Sequence, residues 1–227
     1  MHVAAFAVHV LTSLGAVLAL LAVQAVMAAN WEMVFFWLGI AMIVDGIDGP
    51  IARAVGVTVR LPRFSGERID LVVDYLTYVF VPVMALLEAE RLPAPVAMPL
   101  ATAILLSSLF HFADVASKSA DMAFVGFPAL WNIVAFYIFA VDVGPQAATV
   151  LILLAVALTF VPLHWVHPVR VIPLRAVTLA LTVVWAIAAV WAVASGFPAS
   201  IPIAGCVIIT AVSGVLVSLW LSRRGGS

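Results

Sequence analysis

Residues 45–74 read DGIDGPIARAVGVTVRLPRFSGERIDLVVD. Asp45, Asp48, Asp70 and Asp74 lie here in stretches otherwise apolar enough to sit in a membrane. An ionised Asp at the centre of a bilayer helix costs about 2.5–3.5 kcal/mol on insertion scales, so such residues usually line a site or a pathway. Four of them so close in sequence would repel one another unless a cation held them. A divalent metal, which takes oxygen ligands, is the economical solution.

Working outward, the whole chain is built for lipid. Of its 227 residues, 66% are hydrophobic and 9% charged, and the mean hydropathy is +1.26. Soluble domains carry about 25% charged residues. The formal net charge of −1 and the absence of a dense Lys/Arg cluster argue against a nucleic-acid partner. The single cysteine, Cys206, excludes an internal disulfide framework and a Cys-based metal site. The stretch from Met1 to Val10 lacks the basic flank of a signal peptide, so the first apolar segment is expected to persist as a membrane helix.

A span needs about 20 apolar residues. Eight candidates follow one another at 5–28, 31–54, 67–88, 95–115, 126–142, 146–164, 174–195 and 199–221. Turn residues mark the breaks: Asn30, Pro93 and Pro95, Gly144 and Pro145, Pro168 and Pro173, and Gly196 with Pro198. The fifth and sixth candidates are short and closely joined. With eight spans, Arg53, Arg60, Arg63, Arg68, Lys118, Arg170, Arg175, Arg223 and Arg224 fall on one side and Arg91 on the other. The positive-inside rule makes that side, and both termini, cytoplasmic. The expectation is an all-α integral membrane helix bundle of about eight transmembrane helices, forming one domain over 1–227.

Asp45 and Asp48 are three apart near the cytoplasmic end of span two, with Gly49 and Ala52 continuing the stripe. Asp70 and Asp74 are four apart at the start of span three, with Gly66 one turn earlier. Consecutive spans tend to pack together, so the two pairs are expected to converge one to two turns below the surface. That arrangement suits one or two Mg²⁺ or Mn²⁺ ions. Gly49, Ala52 and Gly66 leave a slot free of bulk, and Arg53 stands at its mouth, where a guanidinium takes a phosphate oxygen. Metal, arginine and slot together describe a diphosphate site open to water. Taken alone, Gly49 and Ala52 read as helix packing; four acids in two in-register pairs do not.

The pattern Asp45-x2-Asp48-Gly49-x2-Ala52-Arg53-x12-Gly66-x3-Asp70-x3-Asp74 resembles the signature of the CDP-alcohol phosphotransferases. The twelve-residue gap is longer than in most of that family and is similar to that of the bacterial phosphatidylcholine synthase subfamily. The string from His111 through Asp114, Asp121, Phe124, Gly126, Phe127 and Pro128 to Trp131 and Asn132 points the same way. The resemblance implies transfer of a phosphatidyl group from CDP-diacylglycerol to choline, giving phosphatidylcholine and CMP, in the bacterial inner (cytoplasmic) membrane with the site facing the cytoplasm. It implies Asp45, Asp48, Asp70 and Asp74 as metal ligands, Mn²⁺ preferred, with Asp74 also the general base. Gly49, Ala52, Arg53 and Gly66 would hold CDP-diacylglycerol. Span residues 174–221 carry no chemistry that can be named and are expected to be accessory. Oligomeric state is open, a homodimer included.

For choline, a quaternary ammonium, aromatic faces are the expected partners. Tyr78, one turn beyond Asp74, and Trp131 are the first candidates, with Asp114 and Asn132 as polar neighbours. Interfacial anchoring competes as a reading of the aromatics, and Asp114 equally suits an ion pair with Lys118. His9 and Thr12, with Ser13 beside His9, either border the nucleotide slot or are polar residues satisfied by their own helix. Within the family, serine, inositol or glycerol phosphate are alternative acceptors, and CDP-choline with diacylglycerol uses the same signature. A cation transporter would also use buried acids, but it favours repeated halves and mid-bilayer sites.

Overall fold

The computed structural model describes residues 2–115, 124–165 and 175–224. Helix α1 (His2–Met27) buries Ala5, Val8, Thr12, Gly15, Ala19 and Ala22, a stripe repeating at three and four residues. Its other faces present Phe6, Val10, Leu14, Val17 and Leu20 outward. An apolar outer surface of this kind suits lipid rather than water. A tight turn returns the chain, and the Asn30 side chain caps α2 (Trp31–Val55) by accepting from the Met33 N–H. Asn30 is thus the break that the sequence placed there, and the physical cause is N-capping.

Helix α2 ends at Gly56, whose φ of 69° permits the left-handed cap that closes on the Ala52 and Arg53 carbonyls. The twelve-residue gap then holds a single helical turn, α3 (Val57–Arg60), pinned by buried Val57 against Ala5 and Val8. Ser65 caps α4 (Gly66–Asp74) by accepting from the Arg68 N–H. The rod continues without a break through a π-helical stretch, Tyr75–Phe80, into α5 (Val81–Glu88). Pro82 has no N–H to return to the Tyr78 carbonyl, and the Val81 N–H reaches back five residues to Leu76. The wider turn is the local solution.

Helices α6 (Ala97–Ala113), α7 (Trp131–Ala140), α8 (Pro145–Thr159), α9 (Arg175–Ser195) and α10 (Ile201–Arg224) complete the bundle. A two-residue antiparallel pairing joins Phe124–Val125 to His164–Trp165. The protein is an all-α membrane bundle, and each expected apolar segment carries a helix. Four rods are long and apolar enough to cross a membrane: His2–Met27, Trp31–Val55, Gly66–Glu88 and Arg175–Ser195. Shorter apolar helical stretches are Ala97–Ala113, Trp131–Ala140, Pro145–Thr159 and Ile201–Val217. The expected span 126–142 contracts to the ten residues of α7, about 15 Å long. Gly126 turns with φ 78°, Pro128 follows, and Ala129 takes φ 53°, so the chain from Phe127 to Leu130 is irregular rather than helical.

The densest packing gathers at the end of α2 remote from its acids. Phe35 meets Phe136, Phe139 and Phe197 edge-on at 5.7, 5.2 and 5.2 Å between centroids. The same end holds the Arg91–Asp142 ion pair, 2.6 Å, and Glu32, which accepts from the Phe197 N–H. At the other end, α1 and α4 run parallel at close range. A Cβ on Gly66 would stand 3.2 Å from His9, and one on Gly15 would collide with Val73. The numbering rises together along both helices. Small residues at the crossing let the backbones approach, and this brings the start of α4 against α1 and beside the end of α2.

Candidate active site

Three carboxylates converge where α2 meets α4. Ligand oxygens of Asp45, Asp70 and Asp74 all lie within 4.8 Å of one another, each residue half-buried. Asp45 comes from α2; Asp70 and Asp74 come from successive turns of α4. Such spacing is untenable for three uncompensated negative charges but fits a hard divalent cation, which accepts carboxylate oxygens from several directions. Asp48, buried at 6% exposure, lies outside this group of three. The site therefore supplies a three-carboxylate cradle from two adjacent helices.

Tyr78, expected as a choline neighbour, stands directly beside the acids. The Tyr78 hydroxyl donates to Asp45 Oδ2 at 2.7 Å. Tyr78 is itself buried and sits within the π-helical stretch that follows Asp74. A phenol holding one oxygen of a carboxylate fixes where the other can point, the usual arrangement around metal-ligating groups. The signal was present as a Tyr four residues beyond Asp74, on the stripe facing α2.

The residues expected to form the slot lie on the same two helices as the acids. Gly49 and Ala52 lie on α2 and Gly66 opens α4. The Arg53 guanidinium folds back along α2, with Nη1 3.4 Å from where a Gly49 Cβ would stand. Arg53 is exposed, so its charge lies outside the core.

The other candidates for choline lie on α7 and at the end of α6. Trp131 has no exposed surface; its Nε1 donates to Ser108 at 2.8 Å and its ring meets Phe127 edge-on. It packs within the bundle with no face open to a ligand. Asn132 is buried, and its Oδ1 accepts from the Ile133 N–H. Asp114 is exposed at the C-terminal cap of α6. Lys118 and Arg170 lie outside the described residues. Tyr78 hydrogen-bonds directly to the acid group.

Comparison with known proteins adds the chemistry's family. The model of the CDP-alcohol phosphatidyltransferase family matches residues 6–161. The chain is 50% identical over 188 residues to a phosphatidylcholine synthase of Bradyrhizobium diazoefficiens, covering 82% of this chain and 70% of the relative. It is 38% identical over 228 residues to one of Mesorhizobium japonicum, covering 98% and 85%. It is 39% identical over 221 residues to one of Pseudomonas aeruginosa, covering 97% and 92%.

Proposed function

This chain belongs to the CDP-alcohol phosphatidyltransferase family, and on that premise we propose that it is a phosphatidylcholine synthase, which moves the phosphatidyl group of CDP-diacylglycerol onto choline and releases CMP. The observation that carries the reading is the convergence of Asp45, Asp70 and Asp74 within 4.8 Å, in a chain whose relatives bear that name.

Asp45, Asp70 and Asp74 would hold a divalent cation, Mn²⁺ or Mg²⁺, with Asp48 as a further ligand. Such an ion, when bound, draws charge from the diphosphate oxygens as the bond breaks. The chain's own residues do the rest. Arg53 takes a phosphate oxygen at the mouth. Gly49, Ala52 and Gly66 let the diphosphate and its nucleoside lie against backbone. The choline hydroxyl approaches the phosphorus that bears diacylglycerol, and Asp74 accepts its proton as the new P–O bond forms. The diphosphate bridge opens, CMP leaves, and the proton passes from Asp74 to water.

Tyr78 keeps Asp45 in place during this exchange. The charge bias of the connections supports a cytoplasmic-facing site in an inner membrane crossed eight times, with both termini on the cytoplasmic side. The chain acts as one domain over 1–227, with α9 and α10 accessory to it. The family match ends before them, and neither contributes to the acid group.

The test is transfer by purified protein in detergent micelles with CDP-diacylglycerol, Mn²⁺ and labelled choline, serine, inositol or glycerol 3-phosphate in separate reactions. Labelled phosphatidylcholine formed fastest is expected. Faster transfer to any of the other three would overturn the acceptor assignment.

A further inference from the structure

A buried polar atom beside the slot lacks a partner. His9 is 5% exposed, and its Nε2 finds no hydrogen-bond partner among the described residues. The neighbouring hydroxyls turn to backbone instead, Ser13 donating to the His9 carbonyl at 2.7 Å and Thr12 to the Val8 carbonyl at 3.3 Å. The ring lies between Phe64, edge-on at 6.3 Å, and Gly66. A Cβ on Gly66 would stand 3.2 Å from His9 Cε1 and 3.6 Å from Nδ1. An unsatisfied buried polar group costs about 1–3 kcal/mol, so one kept at a slot residue points to something that enters and completes it.

The position along α4 identifies the entrant. Gly66 lies eight residues before Asp74, about 12 Å along the helix. Choline presents its only hydrogen-bonding group, the hydroxyl, to Asp74 and has nothing polar to offer at that distance. A nucleotide whose phosphates sit at the acid group carries ribose hydroxyls and a base with ring nitrogen, carbonyl and amino groups, which extend that far.

We propose that His9 Nε2 hydrogen-bonds to the nucleotide portion of the bound CDP-lipid, so that α1 supplies a third wall of the nucleotide site beside α2 and α4. The proposal rests on the reading of the site given above and adds the residue that recognises the nucleoside end.

Three variants test it, with CMP in the presence of Mn²⁺ as the titrant, followed by calorimetry in detergent. His9→Phe keeps the ring and removes both nitrogens. His9→Gln can place an amide near the Nε2 position, and His9→Asn near Nδ1. The Kd for CMP is expected to rise roughly 5- to 10-fold in His9→Phe, the loss of one hydrogen bond. Most of it should return in His9→Gln and little in His9→Asn. The KM for CDP-diacylglycerol should follow the same order while the choline KM stays within about twofold. The Tm of His9→Phe should match or exceed that of the wild type, since an apolar edge replaces an unpaired nitrogen. CMP affinity unchanged in His9→Phe would overturn the proposal. So would a fall in Tm with equal losses for CMP and choline, which would make His9 a packing residue. If the wild type transfers to some other alcohol, the acceptor assignment fails while the CMP titration still decides for or against His9.

Discussion

Replacing Tyr78 by Phe separates two roles for one side chain. The substitution keeps the ring that fills the buried position and removes the hydroxyl that donates to Asp45 Oδ2 at 2.7 Å. A hydrogen bond to a charged group is worth about 1.5–3 kcal/mol. Losing the partner that orients a metal ligand typically costs about 10- to 100-fold in affinity for the ion. The Mn²⁺ concentration giving half-maximal CMP release should therefore rise by roughly that factor. Free Mn²⁺, followed by its electron paramagnetic resonance signal, should report the same weakening without turnover. At saturating Mn²⁺ the choline KM should be nearly unchanged. An aromatic cage predicts the opposite, because Phe still offers a face to an ammonium: metal affinity would hold, and only Tyr78→Leu would raise the choline KM. Wild-type Mn²⁺ binding and activation in Tyr78→Phe would refute the positioning role.

Three other perturbations follow from the acid group and the helix crossing beside it. Asp45→Asn, Asp70→Asn and Asp74→Asn should each lower CMP release about 100-fold or more while the protein remains in the membrane; chelation by EDTA should do the same to the wild type, with recovery on adding Mn²⁺ or Mg²⁺, and wild-type rates in any two variants would sink the shared site. Gly15→Ala drives a Cβ into Val73 and should cost about 1–3 kcal/mol by overpacking; thermal unfolding in detergent should show a lowered Tm that Val73→Ala restores when the two are combined, and simple additivity of the pair would deny the contact.

Much of the framework was legible because apolar length and turn chemistry are local signals. Asn30, Pro93 and Pro95, Gly144 and Pro145, and Gly196 with Pro198 separate helices where the sequence placed them, while Pro168 and Pro173 lie outside the described residues. The shortness of α7 was harder to read. Hydropathy runs unbroken across residues 127–130, and the cause is backbone geometry at Gly126 and Pro128. Within the site, spacing alone put Asp70 and Asp74 on one face and opposite Asp45. It treated Asp45 and Asp48 as equivalent, whereas the structure leaves Asp48, about 60° round the helix from Asp45, out of the close group. Trp131 was legible only as an aromatic near a helix end. Its burial against Ser108 depends on α6, which no local pattern in Trp131's own segment reveals. The single turn α3 was hidden inside what reads as a loop.

The π-helical stretch between Asp74 and Val81 has a mechanical meaning of its own. One helix carries two duties: its first half aims Asp70 and Asp74, and its second half seats Val83, Ala85 and Leu86 in the core. In an unbroken α-helix the angular phase of the first would dictate that of the second at about 100° per residue. A widened turn acts as a phase shifter between them. The chain can satisfy the core with one setting and the acids with another. A single-residue deletion within 75–80 would remove that freedom by closing the wide turn to an ordinary one, and would disturb Tyr78 and its bond to Asp45 as well.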